Sequence, residues 1–233
     1  MQKITVVVVN HNSQEIIECL KSVYSTIKAQ FEVFVVDNNS SDDSVARIKK
    51  EFLKVKIIEN TENKGYGKAC NQAIKIAQGK HILILNPDII LEKNTVEKLL
   101  NYLEQNKDAK IVSCKLKNSD ESVQDSHREF PTISGLLKRQ IKTRFRTKKI
   151  ETKEIFEPTK VDWVSGAFML MRDKYYFDER FFLYFEDVDL CKTIGDVYYY
   201  PLVSATHLAK RESSKSFKLI ILHIKSMIQY FSK

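Results

Sequence analysis

Three carboxylates follow one another closely after an aromatic stretch of the chain. Glu186, Asp187 and Asp189 come directly after residues 181–185, which read FFLYF. Apolar surroundings raise the pKa of a carboxyl group, and a carboxylate with a raised pKa can accept a proton from an attacking hydroxyl group. Acidic side chains at this position can also stabilise a helix that starts there, because they interact favourably with the helix dipole. Both interpretations can hold for different residues of the block.

Asp88 is a further candidate, because it directly follows an apolar run and the pair Asn86-Pro87. A departing diphosphate is commonly stabilised by a divalent cation that carboxylate oxygens hold, and Asp88 is well placed for that task. A lone Asp after a strand is also a common turn residue or helix cap. The residue by itself does not decide between these roles.

The elements that must position these acids alternate in type along the first half. Four short runs rich in β-branched residues predict strands: Ile4–Val9, Phe31–Val36, Val55–Ile58 and His81–Leu85. Longer segments with helical periodicity separate them, which is typical of βαβ units and a parallel sheet. We expect a first helix from an N-cap at Ser13 to about Lys28. Three more helices are expected, one after residues 40–44, one that begins near Gly65 and one that begins near Asn94.

Every predicted strand of this half ends in polar residues. The four clusters are 10–12 (NHN), 37–39 (DNN), 60–64 (NTENK) and 86–88 (NPD). Ligands of an open parallel sheet bind outside the carboxyl ends of its strands. The sequence therefore predicts a polar crevice at this edge.

The second half is less regular and predicts loops and short strands that cover one edge of the crevice. It contains a basic segment at 136–149, an apolar patch at 161–171 and the aromatic and acidic block at 175–190. A C-terminal amphipathic helix is predicted from one apolar face, formed by Phe217, Ile220, Ile221, Ile224, Met227, Ile228 and Phe231. We expect a 1–117 half, a 118–214 half of the same domain, and the helix at 215–233.

Composition limits the class of protein. The chain has 233 residues, 43% of them hydrophobic, with a formal net charge of +8, so an anionic partner is expected. Four dispersed cysteines and no recognisable signal peptide predict reduced thiols in the cytoplasm. No apolar stretch reaches the roughly 20 residues of a membrane-spanning helix.

Six stretches, taken in order, resemble motifs of glycosyltransferase family 2, and within it the bacterial rhamnosyltransferase-like branch that builds cell-surface polysaccharides. They are 6–13, 35–44, 63–73 (NKGYGKACNQA), 85–88 (LNPD), 164–172 and 177–190. The resemblance implies a GT-A α/β fold with a mostly parallel central sheet and helices on both faces. It also implies an inverting transfer from a nucleotide-sugar, with dTDP-rhamnose as the favoured donor and a UDP-hexose or UDP-N-acetylhexosamine as the alternative.

The resemblance also implies roles for individual residues. The nucleotide-binding set is Asn10, His11, Asp37, Asn38, Gly65, Lys68, Asn71 and Asn86. The metal set is Asp88 with His207, holding Mg²⁺ or Mn²⁺, and the nearby Lys210, Arg211 and Ser213 follow that histidine. The catalytic pair is Asp187 as general base and Glu186, and the acceptor set is Trp163, Gly166 and Glu186.

Two departures from the family pattern are visible. The D-x-D motif reads Asn86-Pro87-Asp88, which predicts weaker metal binding until the donor arrives. The acidic block continues as Cys191-Lys192 where many relatives have an arginine, and the chain is shorter than typical members. Acceptor-side structure is therefore expected to be minimal.

The basic segment 136–149 does not by itself decide which kind of partner the protein has. Leu137, Ile141 and Phe145 recur among seven Lys and Arg residues, which is typical of a basic helix on an anionic membrane and suits a lipid-linked saccharide acceptor at the inner face of the plasma membrane. A solvated loop is the alternative for this segment, and packing on the core or in a homodimer for the C-terminal helix. Nucleic acid binding lacks any supporting motif, and a sugar nucleotidyltransferase would have a glycine-rich loop after its first strand.

Overall fold

The computed structural model describes residues 3–132, 135, 155–208 and 217–233. The first half alternates strands and helices as predicted: β1 (Ile4–Asn10), α1 (Ile16–Thr26), β2 (Phe31–Asp37), α2 (Ser44–Glu51), β3 (Lys56–Glu59), α3 (Tyr66–Ile76) and β4 (His81–Leu85). The chain continues with β5 (Ile89–Leu91), α4 (Thr95–Gln105), β6 (Ile111–Lys117), β7 (His127–Arg128), β8 (Thr159–Val161), β9 (Trp163–Val164), β10 (Phe168–Met171), α5 (Glu186–Ile194), β11 (Val197–His207) and α6 (Phe217–Phe231).

The start of α1 differs from the prediction. The helix begins at Ile16, and its N-cap position is Glu15, so the predicted N-cap at Ser13 is wrong. The Ser13 hydroxyl donates to the Glu15 carboxylate at 3.1 Å, which takes it away from the capping role. The starts of α2, α3 and α4 agree with the predictions.

One nine-stranded sheet organises the chain, in the order β3-β2-β1-β4-β10-β6-β11-β5, with β8 paired to β11. Strands β1 to β4, β6 and β11 run in one direction, whereas β5, β8 and β10 run against them. The sheet is thus mostly parallel, as predicted. A separate two-stranded sheet pairs β7 with β9.

Helices cover both faces of the sheet. Successive side chains of β1 point to opposite faces, and the apolar side chains on each face pack against different helices. Ile4, Val6 and Val8 pack with α1, α2 and α4. Val7 and Val9 pack with α3 and α5. The central strands are buried from both sides, which is why their sequences are continuous apolar runs rather than alternating ones.

The expectation of loops and short strands that cover one edge of the crevice is wrong in two respects, the position of β10 and the length of β11. β10 lies inside the sheet, antiparallel to both β4 and β6, and β11 is 11 residues long. The apolar run of β10 is short and has no alternation of polar and apolar residues that would identify a strand. Its place in the sheet is determined by pairing with β4 and β6, which are far away in sequence. Strands from both sides of residue 117 therefore share one sheet.

The C-terminal helix α6 is amphipathic, as predicted. Met227 and Phe231 pack on a small cluster that includes Phe181, Phe185 and Tyr230. Within the described residues, every helix is too short or too polar to cross a bilayer. The basic segment at 136–149 and the residues Lys210, Arg211 and Ser213 lie outside the described part of the chain.

Candidate active site

The floor of the crevice is formed where β1 and β2 end side by side. Asn10 pairs in register with Asp37, and its side-chain amide donates to the Asp37 carboxylate at 2.8 Å. The same amide lies 2.8 Å from the Ser44 hydroxyl at the start of α2, and the Ser40 backbone N–H donates to Asp37 at 2.9 Å. Asn10 and Asp37 are both buried, so they shape the floor while the neighbouring His11 is exposed.

Asn38 ties this floor to the glycine-containing segment before α3. Its amide donates to the Gly65 carbonyl at 3.1 Å, and its own oxygen accepts from Asn60 at 3.0 Å. Because Asn38 is buried, its side chain holds the two loops together. The polar ends of β1, β2 and β3 therefore converge, as the parallel sheet predicts.

Gly65 is one of the points at which the first half contacts the aromatic and acidic block. Its φ is +86°, and a Cβ there would lie 2.4 Å from the backbone oxygen of Phe182. The next N–H, of Tyr66, donates to that same oxygen at 2.9 Å. Only glycine allows this close approach, so Gly65 sets the position of the loop in front of α5.

The two α3 residues assigned to the nucleotide have different surroundings. Lys68 is exposed, which leaves its ammonium group accessible to a phosphate. Asn71 is buried, and it donates to the Phe177 carbonyl at 2.8 Å and accepts from the Phe177 N–H at 2.9 Å. In this conformation Asn71 stabilises the 177–179 segment and does not present its amide to the crevice.

Asp88 and His207 are brought together, although they are far apart in sequence. β5 follows Asp88 and pairs with the end of β11, with Ile89 opposite His207. The His207 Nε2 atom lies 3.2 Å from the Asp88 Oδ1 atom. On the other side of the ring, Nδ1 lies 2.8 Å from the side-chain oxygen of Gln124. If Nδ1 carries the proton and donates to Gln124, Nε2 is left with a lone pair directed towards Asp88.

This pair fits a divalent cation. Two ligand atoms at about 2.1 Å from one ion and roughly 90° apart are separated by about 3 Å, close to the 3.2 Å between Asp88 and His207. The described residues contain no cluster of three or more His, Cys, Asp or Glu side chains suited to a metal. Among the described residues, Asp88 and His207 are therefore the two that could hold the ion, and Mg²⁺ commonly retains water at positions that the protein does not fill.

Asp187 is held by the backbone on two sides. The Gly166 N–H donates to its Oδ2 at 2.9 Å, and the Val188 N–H donates to its Oδ1 at 2.8 Å. Gly166 is held in turn by the Tyr66 hydroxyl, which donates to its carbonyl at 2.8 Å. The neighbouring Ala167 carbonyl accepts from the Asn86 N–H at 2.9 Å. Two adjacent residues between β9 and β10 therefore connect the turn before Asp88 to the carboxylate of Asp187.

Glu186 has a different environment, although it is adjacent in sequence. It is only 6% exposed, and its Oε2 atom has no hydrogen-bond partner among the described residues. Burial, and then the charge of Asp187, raise the pKa of Glu186 to about 8. Burial also raises the pKa of Asp187, whereas the Gly166 and Val188 N–H groups oppose that shift. The pair is therefore arranged so that Asp187 ionises first and Glu186 keeps its proton at neutral pH.

The loop before α5 is strained and is supported by α6. Tyr184 and Phe185 both have positive φ values, of 70° and 66°, which cost non-glycine residues about 1–3 kcal/mol each. His223 of α6 lies against both rings, and the Ser226 hydroxyl donates to the Leu183 carbonyl at 2.7 Å. The helix thus stabilises the backbone conformation of the segment immediately before Glu186 and Asp187.

Trp163, one of the predicted acceptor residues, lies on β9. Its indole N–H donates to the Glu129 carbonyl at 3.1 Å, and the Arg128 guanidinium lies over its ring. The indole is half-buried. The short β9 to β10 connection contains Gly166, so two of the three predicted acceptor residues lie on one segment.

Sequence reasoning missed several residues that support the site. Gln124 comes from a polar stretch with no motif around it, and no local signal identifies it. Tyr66 lies inside the glycine-containing segment 63–73, so its place in that motif could have identified it as a residue of the site. Lys233 bonds both oxygens of Asp189 at 2.7 and 2.8 Å, which gives the third acid of the block a structural role.

Comparison with known proteins identifies relatives of the same kind across the chain. The sequence profile described as "Glycosyl transferase family 2" matches residues 5–179. The rhamnosyltransferase WbbL of Escherichia coli (strain K12) is 27% identical, over 98% of this chain and 92% of its own length. The N-acetylglucosaminyl-diphospho-decaprenol L-rhamnosyltransferase of Mycobacterium tuberculosis is 25% identical over 76% of this chain, which spans 64% of that protein.

Solved structures show the same fold. The Staphylococcus aureus TarS fragment 1–349 with UDP-GlcNAc matches with a TM-score of 0.65 at 20% identity, over 92% of this chain and 61% of that one. The Pyrobaculum calidifontis mannosyltransferase PcManGT with GDP-Man and Mn²⁺ matches with a TM-score of 0.64 at 19% identity, over 97% and 64% of the two chains. The GT-A fold predicted from the sequence is thereby confirmed.

Proposed function

The chain belongs to glycosyltransferase family 2, and from this premise we propose that it is an inverting, metal-dependent transferase that moves a sugar from a nucleotide-sugar to an acceptor hydroxyl. The observation that carries the proposal is the connection of two carboxylates through one short segment. Asn86, beside Asp88, bonds Ala167, and the adjacent Gly166 bonds Asp187. A donor diphosphate bound at Asp88 and an acceptor hydroxyl bound at Asp187 would then lie on the two sides of the transferred sugar.

Each of these residues would have its own role in the reaction. Asp88 and His207 would hold Mg²⁺ or Mn²⁺, which neutralises a diphosphate as it leaves. The Asp187 carboxylate, kept in orientation by two backbone N–H groups, would take the proton from the acceptor hydroxyl as that oxygen attacks the anomeric carbon. The protonated Glu186 beside it would donate a hydrogen bond to the acceptor. Attack from the side opposite the departing diphosphate inverts the anomeric carbon.

Rhamnose from dTDP-rhamnose is the donor that we favour, and the similarity to WbbL supports it. A UDP-hexose or UDP-N-acetylhexosamine remains the competing donor, because a TarS structure contains UDP-GlcNAc. The acceptor would be a saccharide or lipid-linked saccharide of a cell-surface polysaccharide. The protein would act in the cytoplasm, at the inner face of the plasma membrane.

Calorimetric titration tests the nucleotide and the metal together. The protein is titrated with UDP, dTDP and GDP and with their sugars, with Mn²⁺ present and again with EDTA. We expect one nucleotide class to bind, and chelation to weaken it at least tenfold. Absence of binding by every nucleotide in the presence of Mn²⁺ would refute the proposal.

Asp187→Asn tests the general base. The asparagine keeps the shape of the side chain but cannot accept the proton, so we expect turnover to fall roughly 10²–10⁴-fold while donor affinity stays within about threefold. Transfer is followed by release of the nucleoside diphosphate in the presence of acceptor. Unchanged turnover would remove Asp187 from the role of base. Lost donor binding would show that the substitution acts on the crevice as a whole.

A further inference from the structure

The helix α6 leaves an apolar face in contact with solvent. Five large side chains on it are between 44% and 77% exposed: Phe217, Ile220, Ile221, Ile224 and Ile228. Their spacing of three, four and seven residues places them along one side of the helix. We call these five residues the α6 stripe. Soluble monomers rarely expose contiguous apolar patches of this kind unless the patch meets a partner.

The α6 stripe is not needed to hold the helix on the protein. Tyr230 is buried, and Met227 and Phe231 pack beside it against the cluster formed with Phe181 and Phe185. The hydroxyl of Ser226 is bonded to the loop before α5. The inward side of α6 therefore already has its contacts, and within the described part of the chain the stripe is left exposed.

Charge in the same part of the sequence indicates the kind of surface. Segment 209–233, which contains α6, has six Lys and Arg residues and one Glu. Lys225 is an exposed cation within α6 itself. A second copy of this chain would bring the same positive charge to a shared interface, which disfavours a dimer through α6. An anionic lipid surface offers both the opposite charge and an apolar interior.

We propose that the α6 stripe docks in the headgroup region of a membrane that contains anionic lipids. The helix has 15 residues and would lie in the plane of the surface rather than cross the bilayer. Because α6 packs on residues 183–185, docking would keep Glu186 and Asp187 within about one helix diameter, roughly 10 Å, of the lipid. An acceptor anchored in the membrane would then reach the acids without leaving it.

Vesicle sedimentation of the full chain tests the proposal without any donor or acceptor, so its result is independent of the proposed reaction. Vesicles of phosphatidylcholine alone are compared with vesicles that contain 30 mol% phosphatidylglycerol. The test variant is Ile224→Glu with Ile228→Glu. The matched control is Leu53→Glu with Ile76→Glu, which adds the same charge at apolar positions that are 88% and 56% exposed elsewhere. Thermal unfolding confirms that both variants fold.

We expect the wild type and the control to bind the anionic vesicles at least tenfold more tightly than neutral ones, and the test variant to lose at least tenfold of that binding. Equal binding by test and control variants would overturn the proposal, as would absence of binding or equal affinity for neutral vesicles. A stripe-dependent dimer in light scattering, without vesicle binding, would assign the face to a second copy of the chain.

Discussion

Replacing Glu186 with glutamine is expected to stabilise the protein, by an amount that grows with pH. Glu186 is buried, its Oε2 atom has no hydrogen-bond partner among the described residues, and its pKa is raised to about 8. A glutamine has nearly the same shape and no charge. It therefore removes the free-energy cost of ionising a carboxyl group in this environment while leaving the packing in place.

The magnitude follows from the two pKa values. In the unfolded chain a glutamate ionises near pH 4.5, so between about pH 4.5 and 8 the unfolded state has lost this proton while the folded state keeps it. Each pH unit in that window lowers the stability of the wild type by about 1.4 kcal/mol relative to the variant. The difference is small at pH 4.5, reaches about 3.5 kcal/mol at pH 7, and stops growing above pH 8.

Differential scanning calorimetry at pH 5, 6, 7 and 8 measures the effect. For a chain of this size about 1 kcal/mol corresponds to 2–4 °C in Tm, so the variant should melt roughly 7–14 °C higher at pH 7 and close to the wild type at pH 5. Glu62→Gln, at an exposed position, serves as the control and should follow the wild type throughout.

Parallel Tm curves for Glu186→Gln and wild type across this range would refute the reasoning, because they would mean that Glu186 ionises near its ordinary pKa. A variant that is less stable at every pH would show instead that the carboxylate makes a stabilising contact in the folded state. Either result would also remove Glu186 as a proton-bearing partner of the acceptor.

Two further substitutions test the supports of the site. Gly65→Ala should lower Tm by at least about 2–4 °C, because a positive φ alone costs roughly 1–3 kcal/mol and the new Cβ meets the Phe182 backbone. Gly195→Ala, which has a positive φ but no atom within 4 Å, should cost less, and equal losses would remove the close contact as the cause. Lys233→Gln leaves the buried Asp189 without its cation, which should cost about 1–3 kcal/mol in urea unfolding at pH 7; an unchanged midpoint would mean that the ion pair contributes nothing.

Some features of the site could be read from the sequence because they are local. Polar residues follow each of the first four strands, and parallel strands place their carboxyl ends at one edge, so the convergence of Asn10, Asp37 and Asn60 was predictable. The roles of the polar side chains within that edge were not. Asn38 and Asn71 are buried and hold loops, whereas His11 and Lys68 are exposed. Polarity at a strand end does not reveal which way a side chain faces.

By itself, the sequence determined the βαβ order, the starts of α2, α3 and α4, the amphipathic character of α6 and the resemblance to the family, because each depends on spacing within one segment. The tertiary structure decided the insertion of β10 between β4 and β6, the 3.2 Å approach of His207 to Asp88, and the different environments of Glu186 and Asp187. These depend on contacts between residues far apart in the chain. Two adjacent carboxylates look alike in the sequence, but in the structure Asp187 accepts from the Val188 N–H and from the Gly166 N–H of a distant segment, whereas the Glu186 Oε2 atom has no partner among the described residues.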